Sequence, residues 1–315
     1  MDAVTARPRL ATRIPYLNIA LFLATVVTTV TFGGLLHGAR ETSLPEIVGG
    51  GLPFAASLVS ILLCHEMGHY LMARAWHVDS TLPFFIPVPF GFGTFGAVIR
   101  IRSLMPNRHA ILDIGAAGPI AGFVVALPLL FWGLAHSEVR ALGDAAFEHG
   151  NAGSPFQLLR ALAAGAPLVF QGSVANPFGD SVIVATVSRL VLGELPPYHE
   201  VLFHPVATGA WIGLFITTLN LIPLGQLDGG HVIYALLGRR RARALSRAVS
   251  WALFACGFFF SWTWLVWWAI TRYVVGFRHP EPMYLEERLD GRRRAIAIGS
   301  LVLFALTFVP VPMQM

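Results

Sequence analysis

The chain reads as an all-α polytopic membrane protein: a six-span helical bundle, whose fifth span is open to being a hairpin, with one small membrane-associated β-hairpin. Three observations predict this class. Of its 315 residues, 55% are hydrophobic and only 12% charged, far from the balance of a soluble globular domain. Apolar stretches close to the ~20 residues that cross a hydrocarbon layer recur at 14–36, 52–75, 111–135, 205–223, 247–275 and 295–312. The basic residues, all 22 of them arginine, gather beside these stretches, where they fix topology and meet anionic lipid. The formal charge of +5 therefore needs no nucleic-acid partner; the bilayer is the partner it implies.

The first stretch, 14–36, follows Arg7, Arg9 and Arg13 but is longer than a signal-peptide core and precedes no small-residue cleavage motif, so it is expected to be retained. After the second, 52–75, the segment Pro83 to Arg102 carries Phe84, Phe85, Phe90, Phe92 and Phe95 and almost no charge before Arg100. Irregular apolar backbone near lipid must be covered or line a cavity, so a hairpin over about 83–102 is expected. Its open edge would pair with an unwound substrate strand, or the hairpin would serve only as an interfacial anchor. The third stretch, 111–135, leads into residues 136–204, broken by Gly150, Gly153, Pro155, Pro167, Pro177, Pro196 and Pro197. Short helices are expected there near 156–164 and 181–192, without a strand-rich domain. The fourth stretch ends near Pro223. The fifth, 247–275, holds Trp262, Trp264, Trp267 and Trp268, which read as an interfacial belt at a turn; it is one tilted helix or two short ones. Cys64 and Cys256 lie in apolar spans and imply no disulfide framework.

Arginine placement orients the bundle. The N-terminal tail, Arg74 to Arg108, the run Arg239, Arg240, Arg241, Arg243 and Arg247, and Arg288 to Arg294 are basic and should face the cytoplasm. A single fifth span would put Arg292, Arg293 and Arg294 outside, which favours the hairpin. The chain divides into 1–51 (tail, first span and short loop), 52–240 (a core with the hairpin and the 136–204 loop) and 241–315 (C-terminal spans). The absence of a transit-like leader leans toward a bacterial inner membrane over a plastid one.

The chemistry lies in His65-Glu66-Met67-Gly68-His69. On a helix, residues four apart share a face, so both imidazoles can reach one Zn²⁺ while Glu66 points at its bound water. A catalytic zinc takes a third protein ligand and leaves a position open. The run Asn220 to Gly230 offers Asp228, since a carboxylate at the end of an apolar helix is costly unless it binds a cation or pairs. Topology brings His65, His69 and Asp228 to one depth near the cytoplasmic leaflet. Capping a helix is the alternative job for Asp228, and inter-helix hydrogen bonding the alternative for Asn220. His231 reads as a solvated helix-start residue or a group behind the metal ligands. Asp113 is expected to pair locally with Arg108 or with solvent.

In these elements the chain resembles the site-2 proteases, the intramembrane zinc metalloproteases, over roughly residues 52–240. The matching elements are His65, Glu66 and His69; Asn220 and Pro223; Leu227, Asp228 and Gly229; Gly118-Pro119 to Gly122; and Phe92 to Gly96. The compact branch, without PDZ or CBS domains, is the nearer likeness. The resemblance implies one Zn²⁺ on His65, His69 and Asp228, Glu66 as general base, and Asn220 positioning substrate or steadying the oxyanion. It also implies a single-span transmembrane protein as substrate, cut near the cytoplasmic face after an upstream protease has trimmed it. Two other readings stay open. One is a membrane metalloprotease of another zincin class, with Glu194 or Glu200 as third ligand. The other is a non-catalytic scaffold or metal-handling protein of the same fold.

Overall fold

The computed structural model describes residues 15–37, 43–141, 152–166, 178–277, 283 and 288–313. Arg7, Arg9, Arg13 and the loop residues 142–151 and 167–177 lie outside them. The described residues are mostly helical, with only two small antiparallel two-stranded sheets. Helices α1 (Tyr16–Leu36), α2 (Leu44–Ala75) and α3 (Arg108–Ala135) are long and apolar enough to cross a membrane.

Helix α2 begins eight residues before the expected span. Ser43 is its N-cap and Pro45 sits in its first turn, where a missing N–H costs nothing; Pro53 lies inside the helix without ending it. The extension packs tightly on α1: a side chain on Gly34 would strike the Ile47 backbone, and one on Gly51 the Val30 carbonyl. Small residues let two apolar helices approach to backbone contact where lipid offers no hydrophobic incentive to associate.

The expected hairpin forms from β1 (Phe84–Pro87) and β2 (Thr94–Val98), antiparallel, with Phe84 opposite Val98. It is docked on α1. Asn18 Nδ2 donates to the Pro83 carbonyl at 2.8 Å, Thr28 Oγ1 donates to the Gly93 carbonyl at 2.7 Å, and Phe22 meets Phe85 edge-on. Beyond β2 the ladder continues: Thr81 N–H donates to Arg100 O and Arg102 N–H to Asp79 O. Even-numbered residues from Val98 to Arg102 thus turn their main chain toward β1. Ala97, Ile99 and Ile101 turn theirs to the free edge.

Helices α4 (Pro155–Ala163) and α5 (Val182–Leu192) lie within a residue or two of their expected places, each N-capped by a serine hydroxyl. The loop also contains a sheet that the sequence reading lacks: β3 (Glu138–Ala141) pairs with β4 (His199–Leu202) across 57 or more intervening residues. Such pairing leaves little local trace, because β3 is exposed along its length.

Helix α6 (Pro205–Leu221) is buried on nearly every face, with Trp211, Ile212, Leu214 and Phe215 inside the main core beside Phe54, Leu58 and Ile61. A helix apolar all round belongs in the centre of a bundle. It hands over through a tight turn at Ile222–Leu227 to α7 (Asp228–Leu237) and then α8 (Arg239–Phe259). Helix α8 starts at the arginine run and breaks at Phe260–Ser261. The chain returns as α9 (Trp262–Ile270), ending in a π-helical turn at Thr271–Val275. Two antiparallel helices therefore occupy the ambiguous fifth stretch. The tryptophans there are not all a belt: Trp264 is fully buried, its indole N–H donating to the Pro310 carbonyl at 2.9 Å, while Trp262 donates to Ala152 O at 3.0 Å. Helix α10 (Gly291–Thr307) completes the described chain.

Asp113 finds a distant partner instead of the local one expected. Arg293 at the start of α10 grips it with Nε and Nη2 at 2.8–3.1 Å, and Trp76 Nε1 donates to it at 3.2 Å. Arg108 instead donates to the Ala235 carbonyl. This cluster ties together the same-side ends of α2, α3 and α10.

Candidate metal centre

His65, Glu66 and His69 lie in the second half of α2, all buried. Asp228 is the first residue of α7; the helix N-cap is Leu227, so the Asp228 carboxylate is free to face the histidines. Three atoms converge: His65 Nε2, His69 Nε2 and Asp228 Oδ2, each pair 3.2 Å apart. Among the described residues this is the one such group able to hold a metal ion. Tetrahedral ligands held at about 2.0–2.1 Å from a zinc ion stand about 3.3–3.4 Å from each other, so the triangle fits that ion. Glu194 and Glu200, on the other branch of the sequence reading, are not part of the group.

The orientation of the His69 ring is fixed from behind. Its Nδ1 donates to the Ile114 carbonyl at 2.7 Å, leaving Nε2 as the ligand atom. The ring lies where a side chain on Gly118 would be, and His65 Nδ1 lies 3.2 Å from where a Cβ on Gly122 would stand. The glycine-proline element of α3 is thus the wall against which both imidazoles rest.

A cavity of about 220 Å³ opens over the triangle, lined by Glu66, Ile99, Asn220, Gln226 and His231 among others. Ile99, at the free edge beyond β2, lines this cavity together with Glu66. The Asn220 carboxamide lies 3.4 Å from His65 Nε2, at the limit of hydrogen bonding. His231, one turn into α7, packs against Gly115. Every sequence-predicted site residue therefore borders one space. Ile99, the Ile114 carbonyl and Gln226 were missed: the Ile114 carbonyl is a backbone group with no side-chain signature, while Gln226 had a signal in its place two residues before Asp228.

The profile of Peptidase family M50 matches residues 53–264. "Probable zinc metalloprotease EGY2, chloroplastic" of Arabidopsis thaliana is 30% identical over 268 residues, covering 85% of this chain and 43% of that protein. "Probable zinc metalloprotease EGY1, chloroplastic" of Oryza sativa subsp. japonica is 30% identical over 320 residues, covering 93% of this chain and 50% of that protein. The chain thus spans about half the length of these relatives or less. No solved structure matches it. The matched stretch includes both metal-facing segments and most of the bundle core, and the chain belongs to peptidase family M50.

Proposed function

We propose that the protein is an intramembrane zinc endopeptidase that hydrolyses peptide bonds of membrane-spanning substrates near the cytoplasmic face. The observation carrying this reading is the 3.2 Å triangle of His65, His69 and Asp228, assembled from segments some 160 residues apart with buried Glu66 beside it. Bound there, Zn²⁺ would supply an activated water and a polarised scissile carbonyl.

The chain's own residues do the rest. Glu66 takes the proton of the attacking water and delivers it to the leaving nitrogen. Asn220 donates its carboxamide N–H to the oxygen that gains charge as the carbonyl is attacked. A helix hides its carbonyls in its own hydrogen bonds, so a substrate must unwind to be cut. The free edge at Ala97, Ile99 and Ile101 would take that unwound stretch as an added strand. Ile99 and Glu66 line the same cavity, so this strand would lie next to the base.

In this reading α6, the α8–α9 pair and α10 complete the membrane bundle begun by α1 to α3, so that the arginine-rich ends share the side of the metal site. The setting is an integral membrane, with a bacterial inner membrane the one we propose. The substrate would be a single-span protein, trimmed first by another protease. Reconstituting wild type and Glu66→Gln with a panel of single-span substrates tests the proposal. Cleavage by wild type alone, with zinc bound to both, supports it; cleavage by both, or by neither despite bound zinc, rejects it.

A further inference from the structure

A second concavity lies behind the metal-bearing loop. Arg243 and Arg247 from α8 and Arg272 from the π-helical turn line a pocket of about 500 Å³, together with Gln226, Val275, Gly276 and Phe277. All three arginines are exposed, and like charges lining one opening make it favourable to an anion, the more so at low salt. Two arginines elsewhere have carboxylate partners: Arg293 holds Asp113 and Asp290, and Arg140 holds Glu138. Among the described residues, no carboxylate lies within ion-pair distance of Arg243, Arg247 or Arg272.

Arg272 is held by other means. Its guanidinium lies over the Tyr273 ring at 5.7 Å and near that of Phe277 at 5.4 Å. Cation–π contact with the two rings restrains the group while leaving N–H donors available. Planar, pre-oriented forks are suited to two-point recognition of phosphoryl oxygens. We propose that this pocket binds a phosphoryl group, gripped by Arg243, Arg247 and Arg272.

A phospholipid headgroup and a soluble phosphate ester offer the same chemistry. The flanking surface favours the lipid: Tyr273 and Val274 are 75% and 80% exposed, and Trp251 of α8 is 67% exposed, so acyl chains would have apolar side chains to lie against. The pocket also adjoins the metal cavity, because Gln226 lines both. Ser246, between the two α8 arginines, braces the same loop, accepting from the Gly225 N–H at 3.4 Å and lying 3.5 Å from the Pro223 carbonyl oxygen. An occupant would therefore steady the turn that ends in Asp228. The binding itself does not depend on the protease reading.

The test uses the full chain in dodecyl maltoside micelles, which carry no phosphate, compared with micelles doped with phosphatidylglycerol to roughly one lipid per five detergent molecules, and with undoped micelles given inorganic pyrophosphate. Occupancy should raise the thermal midpoint by about 5 °C at saturation. The triple variant Arg243→Gln/Arg247→Gln/Arg272→Gln should lose that rise. The variant Arg288→Gln/Arg292→Gln/Arg294→Gln, which removes the same charge at the start of α10, should keep it. A rise with phosphatidylglycerol alone assigns the pocket to a lipid headgroup, and a rise with pyrophosphate assigns it to soluble phosphate. No rise with either probe, an undiminished rise in the first variant, or equal loss in the second overturns the proposal. If the triple variant does not fold, Arg247→Lys and Arg272→Lys keep the charge and lose the fork. Each should shift the half-saturating pyrophosphate or phosphatidylglycerol dose upward by about tenfold; unchanged doses for both would overturn it equally.

Discussion

Gly118 and His69 occupy what would otherwise be the same space: the imidazole of His69 stands where a methyl on Gly118 would be. The ring can reach the converging ligand atoms only because α3 has no side chain at that point. Gly118→Ala should therefore turn or push the ring and weaken zinc binding by about 10–100-fold, as loss of ligand orientation does elsewhere. Competition against a chromophoric chelator measures this. Wild-type affinity in the variant would mean that the ring has room to move.

Metal removal should be felt by the whole bundle, because the ion would join α2 to α7. Dialysis against a chelator is expected to lower the thermal midpoint, and zinc to restore it; Asp228→Ala should begin at the lowered value and not respond. A midpoint indifferent to chelation would separate the triangle from any structural metal.

Asp113 and Arg293 give a prediction unrelated to the metal. Both are largely buried, at 13% and 26% side-chain exposure, and Arg293 also lies over Trp76 at 5.6 Å. Asp113→Asn leaves a guanidinium short of its partner and should destabilise the protein by about 1–3 kcal/mol. A double-mutant cycle with Arg293→Gln, read by denaturant unfolding in detergent, should show coupling. Strict additivity would count against the pair.

His37, just past the end of α1, sets a pH response. Its Nε2 is buried without a partner, and burial, aided by nearby His204, pulls its pKa from 6.5 down to about 4. With the folded value below the ordinary one, the unfolded chain takes up the proton first as pH falls. This share of stability is full above 6.5 and drains away toward pH 4. The thermal midpoint should therefore drop less steeply over that window in His37→Gln than in wild type. Equal slopes would assign the loss to other groups.

What could be read from the sequence was local. The His65–His69 spacing, the costly Asp228 and the phenylalanine-rich hairpin each carry their signal in a few neighbouring residues. The helix break at Phe260–Ser261 was suggested only indirectly, by where arginines would otherwise fall. Long-range choices left no such mark. Nothing near Asp113 names Arg293, which lies 180 residues away, and the exposed β3 has no alternation to announce its pairing with β4. The early start of α2 was hidden by Pro53 and by three successive glycines, residues that usually weaken helices; here Gly50 and Gly51 serve the contact with the α1 end, while Gly49 faces open space.

The glycine seam between α1 and α2 restricts how anything could arrive from the side. With backbone against backbone at Gly34 and Gly51, and the hairpin fastened to α1 through Asn18 and Thr28, these three elements form one rigid wall. Prising them apart would break main-chain packing that no lipid could replace. A doorway into the cavity is then expected on the opposite flank, and crosslinking α1 to α2 should leave passage through it undisturbed.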